Sequence, residues 1–143
     1  MIGKGLAGAM LMVAALQPAV AGELNETDAG TYVVMHRDGY PTQVRYRLSR
    51  QSDKWLMEGR MGDEDWHDIS CDQGCDYRSS QDADVAKWFP ETWRNAFAIS
   101  CIHNVAQAFC RIEAPDQSGS RVYLVLALVT GQPIPLRLAR VLE

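Results

Sequence analysis

The first half of the chain is built from short runs in which apolar and polar side chains alternate. Val44, Tyr46 and Leu48 are separated by polar residues, which is the period of a strand with one buried face and one solvated face. Turn-forming clusters such as Asp-Gly-Tyr-Pro at 38–41 separate the runs, and connections this short join antiparallel neighbours. We therefore predict an antiparallel meander in this half. Its predicted strands are 31–37, 43–48, 54–60 and 66–71.

A short helical insertion is predicted around residues 80–97. Ser79 or Ser80 can cap a first helix that runs to about Trp88. Pro90 must end that helix, and it suits the first position of a second one. The apolar stripe expected to be buried by the first helix is Val85, Trp88 and Phe89, and the second helix is expected over 91–96.

Extended structure is predicted again from residue 98. Cys101 and Cys110 fall nearly opposite each other in a hairpin that turns at 104–107, a cross-strand geometry that a disulfide can span. A helix over 105–109 is the alternative, because this stretch includes two alanines. The eight apolar residues at 122–129 favour a strand buried on both faces, near the centre of the sheet.

The last predicted strand, 136–142, carries Arg137 and Arg140 and is expected to form a solvated edge. These elements together indicate a domain that is mostly β or α+β. We predict an antiparallel meander of seven or eight strands that forms a small barrel or sandwich and is held by two disulfides.

The chain opens with the pattern of a secretory signal peptide. Lys4 is the only charge in the first 21 residues, residues 6–16 are apolar or glycine, and Ala-Val-Ala at 19–21 is a cleavage signal. An apolar run this short does not span a hydrocarbon core that needs about 20 residues, so no transmembrane segment is expected after processing. The expected organisation is a signal peptide at 1–21, a flexible mature N-terminus at 22–30 and a single domain at 31–143.

Export and charge narrow the function classes. Removing one of 14 basic residues and none of 18 acidic ones gives 13 − 18, a formal charge of −5 for the mature chain. An acidic protein has no electrostatic basis for binding nucleic acid. We expect a periplasmic or secreted bacterial protein whose partner is an envelope or secreted protein with a basic surface. No cofactor is predicted.

The four cysteines are read as disulfides because an exported chain enters an oxidising compartment. Four cysteines allow three pairings. We favour Cys71 with Cys75 and Cys101 with Cys110, since each pair is local and flanks a plausible turn. The spacing of the first pair departs from the C-x-x-C of redox-active sites, so both bridges are predicted to be structural.

One sheet face stands out as a candidate binding surface. If Trp55, Met57 and Ile69 point into the core, strand alternation sends their neighbours to the opposite side. That side would then combine an indole and a leucine with paired charges, a composition typical of protein-contact hot spots. The alternative is that another segment covers Trp66 as ordinary core. The residues predicted for this face are Arg45, Arg47, Leu56, Glu58, Arg60, Trp66 and Asp68.

Metal binding and catalysis find little support in the sequence. The acidic stretch from Asp63 to Asp68 lacks the ligand spacing of a calcium loop, and no metal site is predicted. His36, His67 and His103 are scattered, and no nucleophile motif such as G-x-S-x-G occurs. No catalytic residue is therefore assigned, and a hydrolase is the least favoured class.

Two non-enzymatic functions remain from the sequence. The first is a protein-binding module of the periplasm or cell surface, of the inhibitor or immunity type, which export, small size and the candidate face favour. The second is a small β-barrel that binds an apolar small molecule. The first predicts exposed aromatic side chains on a convex face, and the second predicts aromatic side chains around an interior cavity.

Overall fold

The structure is a computed structural model that describes residues 23–70, 75–115 and 120–142. Within these ranges nine strands form one antiparallel sheet, accompanied by two short α-helices and a 3₁₀ helix at Glu26–Asp28. The strands are β1 Gly30–Met35, β2 Pro41–Gln51, β3 Lys54–Met61, β4 His67–Asp68, β5 Arg78–Ser79, β6 Ala98–His103, β7 Gln107–Glu113, β8 Arg121–Ala127 and β9 Ile134–Arg140, and the helices are α1 Asp82–Trp88 and α2 Glu91–Ala96.

The sheet follows chain order except where its first and last strands meet. Its strand order is β4-β3-β2-β1-β9-β8-β7-β6-β5, every neighbouring pair is antiparallel, and the sheet curls into a half-barrel. The predicted mostly β antiparallel fold with a helical insertion is confirmed. The predicted edge position of the last strand is wrong, since β9 lies between β1 and β8. Alternation defines the faces of a strand but not its neighbours.

Side chains connect the segment that follows β4 to the turn between β6 and β7. Asn104 Nδ2 donates a hydrogen bond to the carbonyl of Ser70 at 2.8 Å, and Gln107 Nε2 donates to the carbonyl of Ile69 at 3.1 Å. Both acceptors follow β4, whereas both donors flank the turn between β6 and β7. These hydrogen bonds hold the segment after β4 against the β6–β7 turn.

The concave face of the sheet holds the main core. Tyr32 and Phe109 are fully buried and meet edge to face, with ring centroids 5.2 Å apart. Leu48 from β2 and Met57 from β3 reach the same cluster. The alternate residues of these strands must therefore point to the convex side.

A second apolar cluster lies where the helices cover the convex side of β6–β8. Phe89 is buried there, with Val85 and Trp88 packed against the cluster, as predicted for the helical insertion. Cys101 and Cys110 are directly paired in the β6–β7 register and form the predicted disulfide, with Cα atoms 4.2 Å apart. Cys71 lies outside the described residues, so its pairing with Cys75 stays a prediction, as does the total of two disulfides.

Several local predictions differ from the structure. The strand predicted over 66–71 is reduced to the two residues of β4, and β5 was not predicted at all. Gln81, rather than Ser79 or Ser80, is the N-cap of α1, and its backbone N–H donates to the Asp84 carboxylate at 2.9 Å. A strand of two residues is too short to show alternation, which explains why the sequence pattern did not locate these edges.

The helical alternative for residues 105–109 is wrong. Asn104 Oδ1 accepts hydrogen bonds from the backbone N–H groups of Ala106 and Gln107, both at 2.9 Å, which stabilises a tight turn. β7 begins at Gln107. The asparagine side chain thus outweighs the helix propensity of the two alanines.

The N-terminal segment expected to be flexible packs against the sheet from residue 24 onwards. Leu24 is buried in the main core, and the Asp28 side chain is fully buried. Asp28 accepts hydrogen bonds from Arg111 Nη1 at 2.6 Å and from the Tyr123 hydroxyl at 2.8 Å. The polar composition of this segment predicts a loose chain. Local composition does not reveal the ordering partners, because they lie far along the sequence. The predicted signal peptide lies outside the described residues.

Candidate interaction face

The seven residues predicted for the candidate face lie on or beside the convex side of β2, β3 and β4. Cross-strand pairing places Arg47 opposite Glu58, and Glu58 opposite Asp68. Directly paired residues project from the same side of a sheet. We call this set the outer β2–β3 face: Arg45, Arg47, Leu56, Glu58, Arg60, Trp66 and Asp68.

A tight hairpin turn determines the register that assembles the outer β2–β3 face. Ser52 and Asp53 have positive φ angles of 47° and 64°, the signature of a type I′ turn, whose twist matches that of the flanking strands. Gln51 and Lys54 pair directly on either side of it. A slip of one residue would turn Arg47 inward and Leu48 outward, so core burial and the turn enforce the same register.

Trp66 is half-buried, and two guanidinium groups lie over its ring. The Cζ atom of Arg47 is 4.5 Å and that of Arg60 is 4.6 Å from the ring centroid. Each such cation–π contact stabilises by about 0.5–1 kcal/mol at an exposed site. Trp66 is therefore held on the convex side by arginines rather than packed into either apolar cluster.

Glu58 holds Arg47 in place beneath this ring. Its Oε1 accepts hydrogen bonds from Arg47 Nε at 3.0 Å and from Arg47 Nη2 at 2.8 Å. The side chains of Arg47 and Glu58 are 40% and 20% exposed, so solvent screens the pair and its own contribution to stability is modest. Its main effect is to limit the rotamers of Arg47, which keeps the indole oriented.

The other two arginines of the face are arranged differently. Arg45 and Arg60 are directly paired across β2 and β3. Within the described ranges neither side chain has a hydrogen-bond or ion-pair partner, and Arg60 Nε is shielded from solvent. The face therefore contains one neutralised arginine and two arginines without a counter-charge.

An exposed acidic turn borders the outer β2–β3 face. Asp63, Glu64 and Asp65 are all exposed and follow Gly62, whose φ of 60° allows the chain to reverse. Asp68 is also exposed. Among the residues that the structure describes, no group of three or more His, Cys, Asp or Glu side chains is arranged to hold a metal ion. The negative charge of this turn therefore faces solvent.

The structure also shows a buried histidine cluster that the sequence did not reveal. His103 Nδ1 is 2.7 Å from Ser80 Oγ, Arg78 Nε donates to His103 Nε2 at 3.2 Å, and the Trp88 ring contacts the imidazole edge. Only the pairing of β5 with β6 brings these residues together. No local pattern could have identified them, because β5 itself was not predictable.

This cluster is not arranged as a serine nucleophile with its base. An arginine N–H can only donate, so Nε2 of His103 must accept, and in the neutral ring the proton then lies on Nδ1. Nδ1 therefore donates to Ser80 Oγ and cannot remove its proton. Burial lowers the pKa of His103, which favours this neutral ring.

The concave side offers an apolar groove at one open end. A space of about 390 Å³ is lined by Val44, Tyr46, Met61 and Ile69, with Arg60, Glu64 and His67 at its border. Burial raises the pKa of Tyr46, so its hydroxyl stays protonated. Deeper in the half-barrel, the fully buried Tyr32 and Phe109 occupy the interior.

No protein-family model, curated protein or solved structure matches this chain. Within the described residues, no helix is both long enough and apolar enough to cross a membrane.

Proposed function

We propose that this protein is a non-catalytic binding module of the bacterial periplasm or cell surface, of the inhibitor or immunity type. It would engage a partner protein through the outer β2–β3 face. The observation that carries the proposal is Trp66, a half-buried indole that two guanidinium groups hold on the convex side.

The chemistry of this face supports protein recognition. Tryptophan and arginine are the residues most enriched among interface hot spots. Here the ion pair of Arg47 with Glu58 orders the side chains in the free protein. Because ordering flexible side chains opposes association, an ordered face loses less conformational entropy when it binds.

Charge narrows the class of partner. The predicted mature chain has a formal charge of −5, and an exposed acidic turn borders the face. Long-range attraction would therefore favour an envelope or secreted protein with a basic surface, and would raise the association rate at low salt. A secreted toxin or a wall-degrading enzyme fits this description.

The direct test is a pull-down with the mature protein from envelope and culture fractions. We expect a partner that is captured by the wild-type protein and lost with Trp66→Ala, since removal of a hot-spot side chain costs at least about 2 kcal/mol, or roughly 30-fold in affinity. Trp93→Ala is the matched control, because Trp93 is 44% exposed on α2, outside the face. Equal capture by all three proteins would remove the outer β2–β3 face from consideration.

The apolar groove beside Tyr46 supports a second candidate function, the binding of an apolar small molecule. Its volume suits a small ligand. Native mass spectrometry of protein purified from its own compartment would test this. A bound lipid or other apolar molecule that is lost with Val44→Asp, but retained with Trp66→Ala, would favour the second function.

A further inference from the structure

The outer β2–β3 face contains two arginines without a counter-charge within the described residues. Arg45 and Arg60 project from the same side in directly paired positions, and like charges in this arrangement destabilise a sheet. Over residues 23–70, 75–115 and 120–142, no acceptor or carboxylate pairs with either side chain. An anion placed beside both would relieve their repulsion.

The surroundings of Arg60 give a second reason to expect an anion at this position. Its Nε is shielded from solvent and has no hydrogen-bond partner within the described ranges. A shielded donor without a protein acceptor is unfavourable in the free protein. Contact with Trp66 keeps the guanidinium in this position, so the group is oriented before an anion binds.

The surroundings of the pair indicate which anion fits. Arg47 is already neutralised by Glu58, so the positive charge is concentrated at Arg45 and Arg60. Exposed acidic residues at the β3–β4 turn and in β4 border this positive centre. A complementary partner thus has a negative centre within a basic surface, and a carboxylate matches the planar donor fork of a guanidinium.

We propose that the partner of the outer β2–β3 face inserts an aspartate or glutamate side chain, flanked by basic residues, beside Arg45 and Arg60. This inference rests on the proposed function and names the recognition chemistry of the same face. The partner's carboxylate accepts hydrogen bonds from the guanidinium groups, while its basic residues face the acidic turn.

A pair of capped peptides tests this proposal without knowledge of the partner. The probes are Lys-Ala-Glu-Ala-Lys and the same peptide with Gln in place of Glu, titrated into the ¹⁵N-labelled mature protein while the Arg60 Nε–H and Trp66 indole signals are followed by NMR. We expect saturable shifts with the Glu peptide and about tenfold weaker binding of the Gln peptide.

Arginine variants complete the design. Arg45→Gln and Arg60→Gln should each reduce binding of the Glu peptide to the level of the Gln peptide, while Arg60→Lys should retain part of it. Arg137→Gln is the matched control, because Arg137 is an exposed β9 arginine outside the face. Backbone spectra of each variant show whether it is folded. If a glutamine variant does not fold, Arg60→Lys still tests the proposal.

Several results would overturn the inference. The first is equal binding of the two peptides, and the second is binding that the Arg45 and Arg60 variants do not change. The third is a larger shift with phosphate than with acetate at equal ionic strength. The fourth is a shift that depends on protein concentration without peptide, which would show a second copy on the face. If the Arg45→Gln/Arg60→Gln protein still captured a partner that Trp66→Ala loses, the carboxylate would be excluded and the proposed function would stand. If Trp66→Ala changed no capture, the proposed function itself would fail, whatever the peptides do.

Discussion

Replacing Asp28 with asparagine should remove a large part of the stability of this fold. The Asp28 side chain is fully buried, and its Oδ2 accepts hydrogen bonds from Arg111 Nη1 at 2.6 Å and from the backbone N–H of Asn25 at 2.9 Å. Its Oδ1 accepts a hydrogen bond from the Tyr123 hydroxyl. The carboxylate thus connects the N-terminal segment to β7 and β8.

The magnitude follows from what the substitution leaves behind. The Arg111 side chain is only 4% exposed. Asp28→Asn keeps the shape of the side chain but removes the charge beside Arg111 Nη1, while the more distant Glu113 Oε2 stays at 3.7 Å from Arg111 Nε. Breaking one side of a buried ion pair costs about 3–5 kcal/mol. Domains of this size have roughly 5–15 kcal/mol of total stability, and the corresponding decrease in Tm is about 12–20 °C for roughly 120 residues.

Urea unfolding followed by circular dichroism measures this loss directly. Asp65→Asn is the matched control, because Asp65 is exposed, and it should change stability by less than about 0.5 kcal/mol. The Asp28→Asn/Arg111→Met protein should be more stable than Asp28→Asn alone, since the buried guanidinium that lost the Asp28 charge is removed as well. A loss below about 1 kcal/mol for Asp28→Asn, or additive losses in the double variant, would refute the reasoning.

Three further predictions concern the pH dependence, the disulfide and the packing of the sheet. Burial lowers the pKa of His103 from its ordinary value of 6.5, so its contribution to stability is present above pH 6.5 and is lost as the pH falls through the folded-state pKa. Unfolding curves from pH 8 to 5 should therefore show a smaller decrease for His103→Gln than for the wild type, and identical slopes would contradict this. Replacing Cys101 and Cys110 with serine should lower the free energy of unfolding by about 2.6 kcal/mol, from chain entropy for a separation of nine residues, and an unchanged urea midpoint would count against that value. In Gly59→Ala the new Cβ would lie 3.0 Å from Ile69 Cγ2, so calorimetry should show a loss of about 1 kcal/mol, and an equal or higher Tm would show that Ile69 moves aside freely.

The outer β2–β3 face illustrates how far local pattern reaches into a candidate site. Alternation along β2 and β3 was enough to place Arg47 and Glu58 on the side opposite Leu48 and Met57, as in the structure. The contact of both guanidinium groups with Trp66 was not predictable, because it depends on how β4 approaches β3. The binding role of this face remains a proposal.

The elements that could be predicted from the sequence are those whose signals are local. A period of two residues, turn clusters and Pro90 located the long strands and both helices, and the cysteine spacing predicted the Cys101–Cys110 bridge across a hairpin. Each of these features depends on residues a few positions apart, so the side-chain pattern contains the necessary information.

Contacts between distant segments of the chain became known from the folded structure alone. The pairing of β1 with β9 places the last strand inside the sheet. Asp28 accepts a hydrogen bond from Arg111, which lies 83 positions further along the chain. His103 forms hydrogen bonds with Ser80 and Arg78 because the two-residue strand β5 pairs with β6. Many partners could satisfy a buried carboxylate or a strand edge equally well in local terms. The choice among them depends on the simultaneous packing of the whole core, which no single stretch of sequence specifies.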